Sequence, residues 1–467
     1  MIFKIKDFLT RIRVPVQVED DASYQLVTIR MRHQGVCLRG VKAGREIGTK
    51  TMYRVKAGQF VLSGIDARNG AFGVIPDELE GAVVTNDFWY FDVDDRVIDR
   101  DYFLYLTSTP FFDNLCRLAS DGTTNRVRLQ ADKFYNYEIT LPPVDEQRIV
   151  LKRLVALKSK LTALNAEFDQ QDTLLTKLQQ AILQDAVRGK LTATYRESVY
   201  NATSVTQPVT GSSPVRTATE QTETGTDLLA RIRAEKAELI HSGKLRSQKT
   251  LPPITDAEKP FELPEGWVWA RLGDLAEMMG GGTPSKNNPT YWQGNLPWVS
   301  PKDMKVDYLS DTIDHISEVA IQESTAKIIP AESLLIVVRG MILLKKIPLA
   351  INVVPVTLNQ DMKAIKPFKK AVLPYLFICL KGLEPMLLRE VNTATHGTGK
   401  IDSEILTNLH IPLPPLAEQR AIVAAVERAL GQVAQLRAEL QAQRAGAGEL
   451  LRALLHRAFA GGEEVET

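Results

Sequence analysis

Apolar residues recur at steps of four and three along two stretches of this chain. The first seam runs Val150, Leu154, Leu157, Leu161, Leu164, Phe168, Gln171, Leu175, Leu178, Ile182. The second runs Ile422, Val426, Ala429, Val433, Leu436, Leu440, Gln443, Ala447, Leu450, Leu454. Alternating steps of this kind are the a/d heptad pattern of a coiled coil. The seams lie 272 positions apart without a gap, and Gln171 and Gln443 are polar defects at the same phase. One polar seam residue fixes register at some cost in stability. Shared phase and shared defect favour two helices made for each other over two unrelated amphipathic helices. Pro142–Pro143 and Pro414–Pro415 precede the helices and cannot continue a ladder into them. Asp145, Glu146 and Glu418 put negative charge near the helix starts, where the macrodipole favours it. A helix of about 44 residues is roughly 65 Å long. Gly446 and Gly448 stand where the first copy has Leu174 and Thr176, which predicts fraying or a bend at the far end of the second helix.

The repeat extends beyond the seams. LPPVDEQR at 141–148 matches LPPLAEQR at 413–420, and AVRG at 186–189 matches AFAG at 458–461. A period this long fits a duplicated unit of one domain plus one helix. Outside the helices the pattern shortens to β-rich runs such as 59–65 and 82–93, with a helical stretch around 101–118. The two globular parts echo each other weakly. Lys4–Phe8 resembles Arg271–Leu275, 83–87 resembles 356–361, and Gly122 resembles Gly397, each just before its LPP. The reading divides the chain into a first domain at 1–143, a rod helix at 144–195 and a linker at 196–260. The second domain follows at 261–415, then a second rod helix at 416–461 and a tail at 462–467. Thr/Ser-rich residues 198–226 read as flexible, and 227–242 as a short amphipathic helix between Asp227 and Gly243.

With 467 residues, 44% of them hydrophobic, the chain has room for two or three cores. Cys37, Cys116 and Cys379 are isolated, which argues for a reducing cytosol and against a disulfide framework or zinc site. The N-terminal segment lacks the apolar region of a signal peptide. The apolar stretch 334–356 is broken by Arg339, Lys345, Lys346, Pro348 and Pro355, so a cytoplasmic protein is expected. A sequon at Asn201 reads as chance. Net charge is +1, so any nucleic-acid contact must come from local basic patches. No catalytic constellation emerges. Asn288-Pro-Thr-Tyr291 lacks the second proline of an amino-methyltransferase loop, and Pro76-Asp77 lacks a downstream Glu-x-Lys. His396–Lys400 lacks P-loop spacing, and the six histidines show no metal-ligand spacing.

LPEGW (263–267), GGTPS (281–285), NPTYWQGNLPWVSPKDM (288–304), LNQDM (358–362), GTGKI (397–401) and the paired LPPxxEQR segments resemble the DNA-specificity subunit of type I restriction–modification systems. The resemblance covers the whole chain and is strongest over 141–190 and 261–460, although LPEGW precedes only the second domain. It implies an α/β (α+β) fold, with two mixed target-recognition domains joined by a long antiparallel two-helix coiled coil. Each domain is expected to read one half of a split DNA target. The chain itself is expected to be non-catalytic and without a cofactor. Two methyltransferase subunits and restriction subunits would supply the chemistry, with S-adenosylmethionine, ATP and Mg. Two alternatives remain open, a recognition subunit of a related split type II-like enzyme and a coiled-coil adaptor that binds no DNA.

Arg and Lys pair with guanine in the major groove, and Asn and Gln with adenine. Donor-rich turns therefore give the candidates. In the first domain these are Arg39, Lys42, Arg45, Lys50, Arg68, Asn69 and the 123–128 stretch with Arg126. In the second they are Lys286, Asn287, Asn288, Lys302, Arg339, Lys345, Lys346, His396 and Lys400. For each one, a phosphate contact or a solvated charge is the plainer reading. Trp292 and Trp298 read as core aromatics, and Asn359 and Gln360 could be strand-end hydrogen-bonders. Gln147–Arg148 and Gln419–Arg420 occupy matched positions. They are candidate docking sites for two identical partners about a pseudo-twofold axis, or else simple helix caps.

Overall fold

The strand Phe60–Ser63 is buried along its whole length, and its alternation feeds two cores. Phe60 and Leu62 enter an aromatic cluster with Phe91, Phe103 and Phe112, while Val61 faces Val27, Ile75 and Tyr90 on the opposite side. Full burial of such side chains is worth about 1.5–3 kcal/mol each. The computed structural model describes residues 1–122, 127–204, 223–247, 250–393 and 397–459. It divides into two compact units, residues 1–170 with 440–467, and residues 171–439.

In the first unit a four-stranded antiparallel sheet has the order Leu9–Ile12, Phe88–Val93, Phe60–Ser63, Phe72–Val74. Helices Arg100–Thr107 and Pro110–Leu118 contribute to its aromatic core, with Phe60 edge-on to Phe103 at 4.8 Å and Phe72 edge-on to Phe112 at 5.0 Å. A second sheet has the order Pro15–Gln17, Thr51–Arg54, Val83–Val84, Ser23–Ile29, Val36–Ala43. Strand Ile2–Lys4 pairs antiparallel with Glu138–Thr140 and closes the domain just before its rod helix.

The second unit repeats this plan. Ala276–Gly280, Met362–Pro367, Ser333–Val337 and Leu349–Asn352 lie in the same order with the same antiparallel pairings, and Tyr308–Leu309 is added at the edge. A second sheet sets Leu296–Val299 between Asp314–Ile316 and Thr357–Leu358. Trp298 pairs in parallel with Thr357, as Leu26 does with Val83 in the first unit. The weak echo of 83–87 in 356–361 therefore falls on corresponding strands. Strand Val268–Arg271 pairs with His410–Leu413, and the register Arg271↔His410 mirrors Lys4↔Glu138.

Both rod helices have 44 residues, Val144–Val187 and Leu416–Phe459. The second runs on through Gly446 and Gly448, so the fraying expected there is not seen. In the first unit Arg444 bonds Asp169 at 2.5 Å and lies over Phe168. In the second unit Arg437 bonds Asp172 and Thr176, each at 3.1 Å. Within each unit the pairing is antiparallel. Leu154, Phe168, Ile422, Val426, Val433 and Leu440 are buried, whereas Gln171 and Gln443 are exposed. Of the stretch 198–226, expected to be flexible, residues 198–204 are helical as part of Ala193–Ser204, and 205–222 lie outside the described residues. The short helix is Gly225–His241. Thr224 caps it through a reciprocal bond with Asp227, and Leu228, Leu229 and Ile232 are buried in the second core. No helix among the described residues is long and apolar enough to cross a membrane.

Candidate nucleic-acid interface

In each domain the strand with two buried faces runs out into a turn, residues 64–71 in the first and 338–348 in the second. A later segment comes back to meet it. The Leu129 N–H donates to the Gly64 carbonyl at 2.8 Å, and the Ile401 N–H donates to the Val338 carbonyl at 2.9 Å. Positions 129 and 401 are related by the 272-residue repeat, so both domains make the same junction.

In the second domain the junction brings several expected residues together. Arg339 and Lys400 are cross-strand partners between Arg339–Gly340 and Gly399–Lys400. Their close approach requires glycine, because a Cβ at Gly399 would lie 2.9 Å from the Leu343 Cβ. Arg339, Lys345 and Lys346 are exposed, beside exposed Met341 and Leu344, and make no ion pair among the described residues. Lys400 is paired with Asp402 at 2.5 Å. The Gly-rich turn joins this group through Thr283 Oγ1, which donates to Gln360 Oε1. The neighbouring Asp361 carbonyl accepts from the Arg339 N–H at 3.2 Å. Gln360 and Asn359, whose Oδ1 accepts from the Asp361 N–H, both act as local hydrogen-bonders.

Other candidates fare differently. Lys286 and Asn287 are exposed. Asn288 caps the helix Pro289–Trp292, its Oδ1 accepting from the Thr290 N–H and hydroxyl at 3.2 and 2.7 Å, so that oxygen is already engaged in its own turn. Lys302 pairs with Asp314 at 3.7 Å. Trp298 is buried, donates to the Gly282 carbonyl and packs edge-on to Trp292 at 5.0 Å, a core arrangement. His396 and Arg126 lie outside the described residues.

In the first domain Arg68 and Asn69 sit in the turn itself, and Arg128 pairs with Asp87 at 2.7 Å. Lys50 pairs with Asp20 at 2.5 Å. Arg39, Lys42 and Arg45 are exposed on or just after the edge strand Val36–Ala43. The tip of that strand's hairpin rests on the turn, with the Arg32 N–H donating to the Asn69 carbonyl at 2.8 Å. Arg30, Arg32 and His33 therefore join the group although no motif pointed to them. The available signal was local charge around them.

The rod roots correct the docking expectation for two residues. Gln147 is 0% exposed, and its side chain accepts from the Asp99 N–H and donates to the Val97 and Pro142 carbonyls at 2.8–3.1 Å. Gln419 is 2% exposed and donates to the Pro414 carbonyl. Both lie inside their units, because a glutamine in the first turn of the helix can reach the carbonyls that the preceding prolines leave open. Arg148 is exposed, within reach of Asp99 and Asp145, and Arg420 is exposed. Glu418, expected only as a dipole partner, is a buried acceptor. It takes Arg196 at 2.5 Å, the Thr192 hydroxyl at 2.7 Å and the Trp267 indole at 2.8 Å. Nearby, the Thr255 N–H and the Arg271 guanidinium hold the Glu258 carboxyl down to about 2. His410 is pushed below its usual value by burial and by Arg271.

Among the described residues, no group of three or more His, Cys, Asp or Glu is placed to hold a metal ion. Burial drives the Cys116 and Cys379 thiols well up, so neither is a ready nucleophile.

The sequence profile of the type I restriction modification DNA specificity domain matches residues 3–171 and 264–442. The specificity subunit of the EcoR124I/EcoR124II type I restriction enzyme from Escherichia coli is 40% identical over 166 residues, 35% of this chain and 41% of that subunit. The HindI specificity subunit from Haemophilus influenzae is 23% identical over 291 residues, 60% of this chain and 61% of that subunit. These matches span less than two thirds of the relatives' own lengths. The crystal structure of the HsdS subunit from Thermoanaerobacter tengcongensis superposes with a TM-score of 0.53 at 18% identity, covering 99% of this chain and 96% of that one. A chain from a type I R-M system structure gives 0.57 at 18% identity, covering 99% and 97%. With the profile spanning both repeated domains and the first part of the rod helix that follows each, this chain belongs to the type I restriction–modification DNA-specificity family.

Proposed function

We propose that each domain reads one half of a bipartite duplex DNA target through its turn-and-hairpin junction, and that the rod helices carry two methyltransferase subunits. The observation that carries this reading is the repeated junction. Two domains of common plan each present basic side chains from a turn backed by a later segment, at corresponding places. Phosphate contacts would supply most of the affinity, and side chains reaching base edges the discrimination. The chemistry belongs to the partners: adenine methylation from S-adenosylmethionine, and cleavage by restriction subunits using ATP and Mg. This chain is a non-catalytic, cytoplasmic targeting subunit with no membrane partner. Arg148 and Arg420 remain as candidate docking side chains at the rod roots.

The test is to express the chain with its methyltransferase and map methylated adenines genome-wide. A bipartite motif with a fixed spacer supports the reading. A chain that assembles with its partners but gives no sequence-specific methylation and no salt-dependent duplex binding is an adaptor instead.

A further inference from the structure

From Ala22 to Arg45 the chain carries Arg30, Arg32, Arg39, Lys42 and Arg45, with no Asp or Glu, in a protein whose net charge is +1. All five side chains are exposed, and none makes an ion pair among the described residues. The segment folds as the hairpin Ser23–Ile29 and Val36–Ala43, the latter an edge strand. Eight extended residues span roughly 27 Å, and a two-stranded ribbon fits the major groove of B-DNA. Leu38 and Val41 on that edge are 46% and 57% exposed, apolar area placed among cations. The ladder pairs Leu26 with Gly40 but Val27 with Leu38, leaving Arg39 as the extra residue of a bulge. Bulges re-aim side chains.

The tip is held in place. Arg32 and His33 both have left-handed backbones, φ 58° and 57°, although neither is glycine. Such strain persists only where surrounding structure fixes it. Here the Arg30 N–H donates to the Gly35 carbonyl at 2.9 Å, and the Arg32 and His33 N–H groups donate to the Asn69 and Gly70 carbonyls at 2.8 and 3.0 Å. His33 Nε2 bonds Asp113 Oδ2 at 3.0 Å, and its ring meets the Phe72 ring edge-on at 5.1 Å. The result is a cationic ribbon with a preorganised tip, displayed beside the turn that carries Arg68 and Asn69.

We propose that this hairpin is the base-reading element of the first domain, with Arg32 and Arg39 as specificity-determining residues and His33 as a residue that positions the tip. The proposal rests on the DNA-reading function above, and guanine is the expected partner of each arginine. The test uses the full chain assembled with its methyltransferase, carrying Arg32→Ala, Arg39→Ala, His33→Ala or His33→Gln. Methylated motifs are mapped genome-wide, and methylation rates are measured on duplexes matched or mismatched at each position. Each arginine variant should relax a position in one half of the motif, with discrimination there falling about 5- to 150-fold and the other half unchanged. His33→Ala should relax the same position as Arg32→Ala, and His33→Gln, which keeps a donor for Asp113, should restore it. An unchanged motif with uniformly slower methylation would make these arginines phosphate contacts and overturn the proposal. So would an unchanged motif and rate. A wild-type complex with no sequence-specific methylation would instead remove the DNA-reading function itself.

Discussion

Replacing Glu418 by alanine takes one carboxylate away from three donors at once. Glu418 is 4% exposed and accepts from Arg196, Thr192 and Trp267 within 2.5–2.8 Å. The Arg196 side chain is itself only 16% exposed, so the substitution leaves a largely buried guanidinium without its counter-ion. Breaking a buried pair by deleting one partner costs about 3–5 kcal/mol. The loss falls on residues 189–199 and the Trp267 turn, which the carboxylate ties to the start of the second rod helix. A chain of two units does not unfold in one step, so the suitable assay is segment-resolved hydrogen exchange. Protection across 189–199 should fall by roughly two orders of magnitude or more, following from a loss of about 3 kcal/mol. Arg196→Met in the same chain should recover part of it, because the uncompensated charge goes too. The repeat supplies the control. Glu146, 272 positions earlier, is exposed, and its alanine variant should stay within about 0.5 kcal/mol of wild type. Unchanged protection in Glu418→Ala, or an equal effect at Glu146, would refute the argument.

The paired glutamines give a second contrast. Gln147→Ala strands the Asp99 N–H and two carbonyls and should destabilise the first domain by about 2–3 kcal/mol. Gln419→Met removes a side chain whose Oε1 already lacks a partner, so it should cost less than about 1 kcal/mol by the same hydrogen-exchange measurement. Equal losses at the two sites would show that the bonding difference is not what matters. Removing charge at Lys345 and Lys346 together should weaken DNA binding across all sequences and flatten its salt dependence by up to about two units of slope. An unchanged slope would place both lysines off the DNA. Reading the rod as the spacer between the two half-sites predicts the effect of one extra heptad after Leu161 and after Val433. The insertions keep the seam phase and add about 10 Å of helix. Methylome mapping should then show the same half-sites around a spacer altered by up to roughly three base pairs. An unaltered spacer in an active enzyme would rule the rod out as the ruler.

The rod was legible because a seam period repeated over ten positions in each of two copies leaves little freedom, and the observed helices begin at Val144 and Leu416, right after the prolines. The common sheet plan was not. Its strands are short, and the partners of Phe60–Ser63 come from residues 72–74 and 88–93, pairings that no local pattern specifies. Only the weak echoes, Lys4–Phe8 with Arg271–Leu275 and 83–87 with 356–361, hinted at it. At the candidate interface the structure brings several of the named turns together, but the sequence could not rank their residues. Asn288 and Lys302 look like Asn287 and Lys345 in sequence, and a cap and an ion pair separate them. Repetition misled at Gln147 and Gln419, since matched positions arise as readily from a shared hydrogen-bonding need inside each unit as from a shared partner. The hairpin tip was missed because its left-handed residues are Arg32 and His33, and the usual mark of such a backbone is glycine.

Each domain enters and leaves through one pair of hydrogen-bonded strands, Ile2–Lys4 with Glu138–Thr140 and Val268–Arg271 with His410–Leu413, and each rod helix begins within a few residues of that pair. The sheets and turns of each domain are strung between those two strands. Such a layout makes each domain a cassette. A recombination event with crossovers in the closing strands would replace those sheets and turns together and leave the heptad seam untouched. On this view the near-identity of the segments at 141–148 and 413–420 is also a store of matching sequence at which new combinations can form.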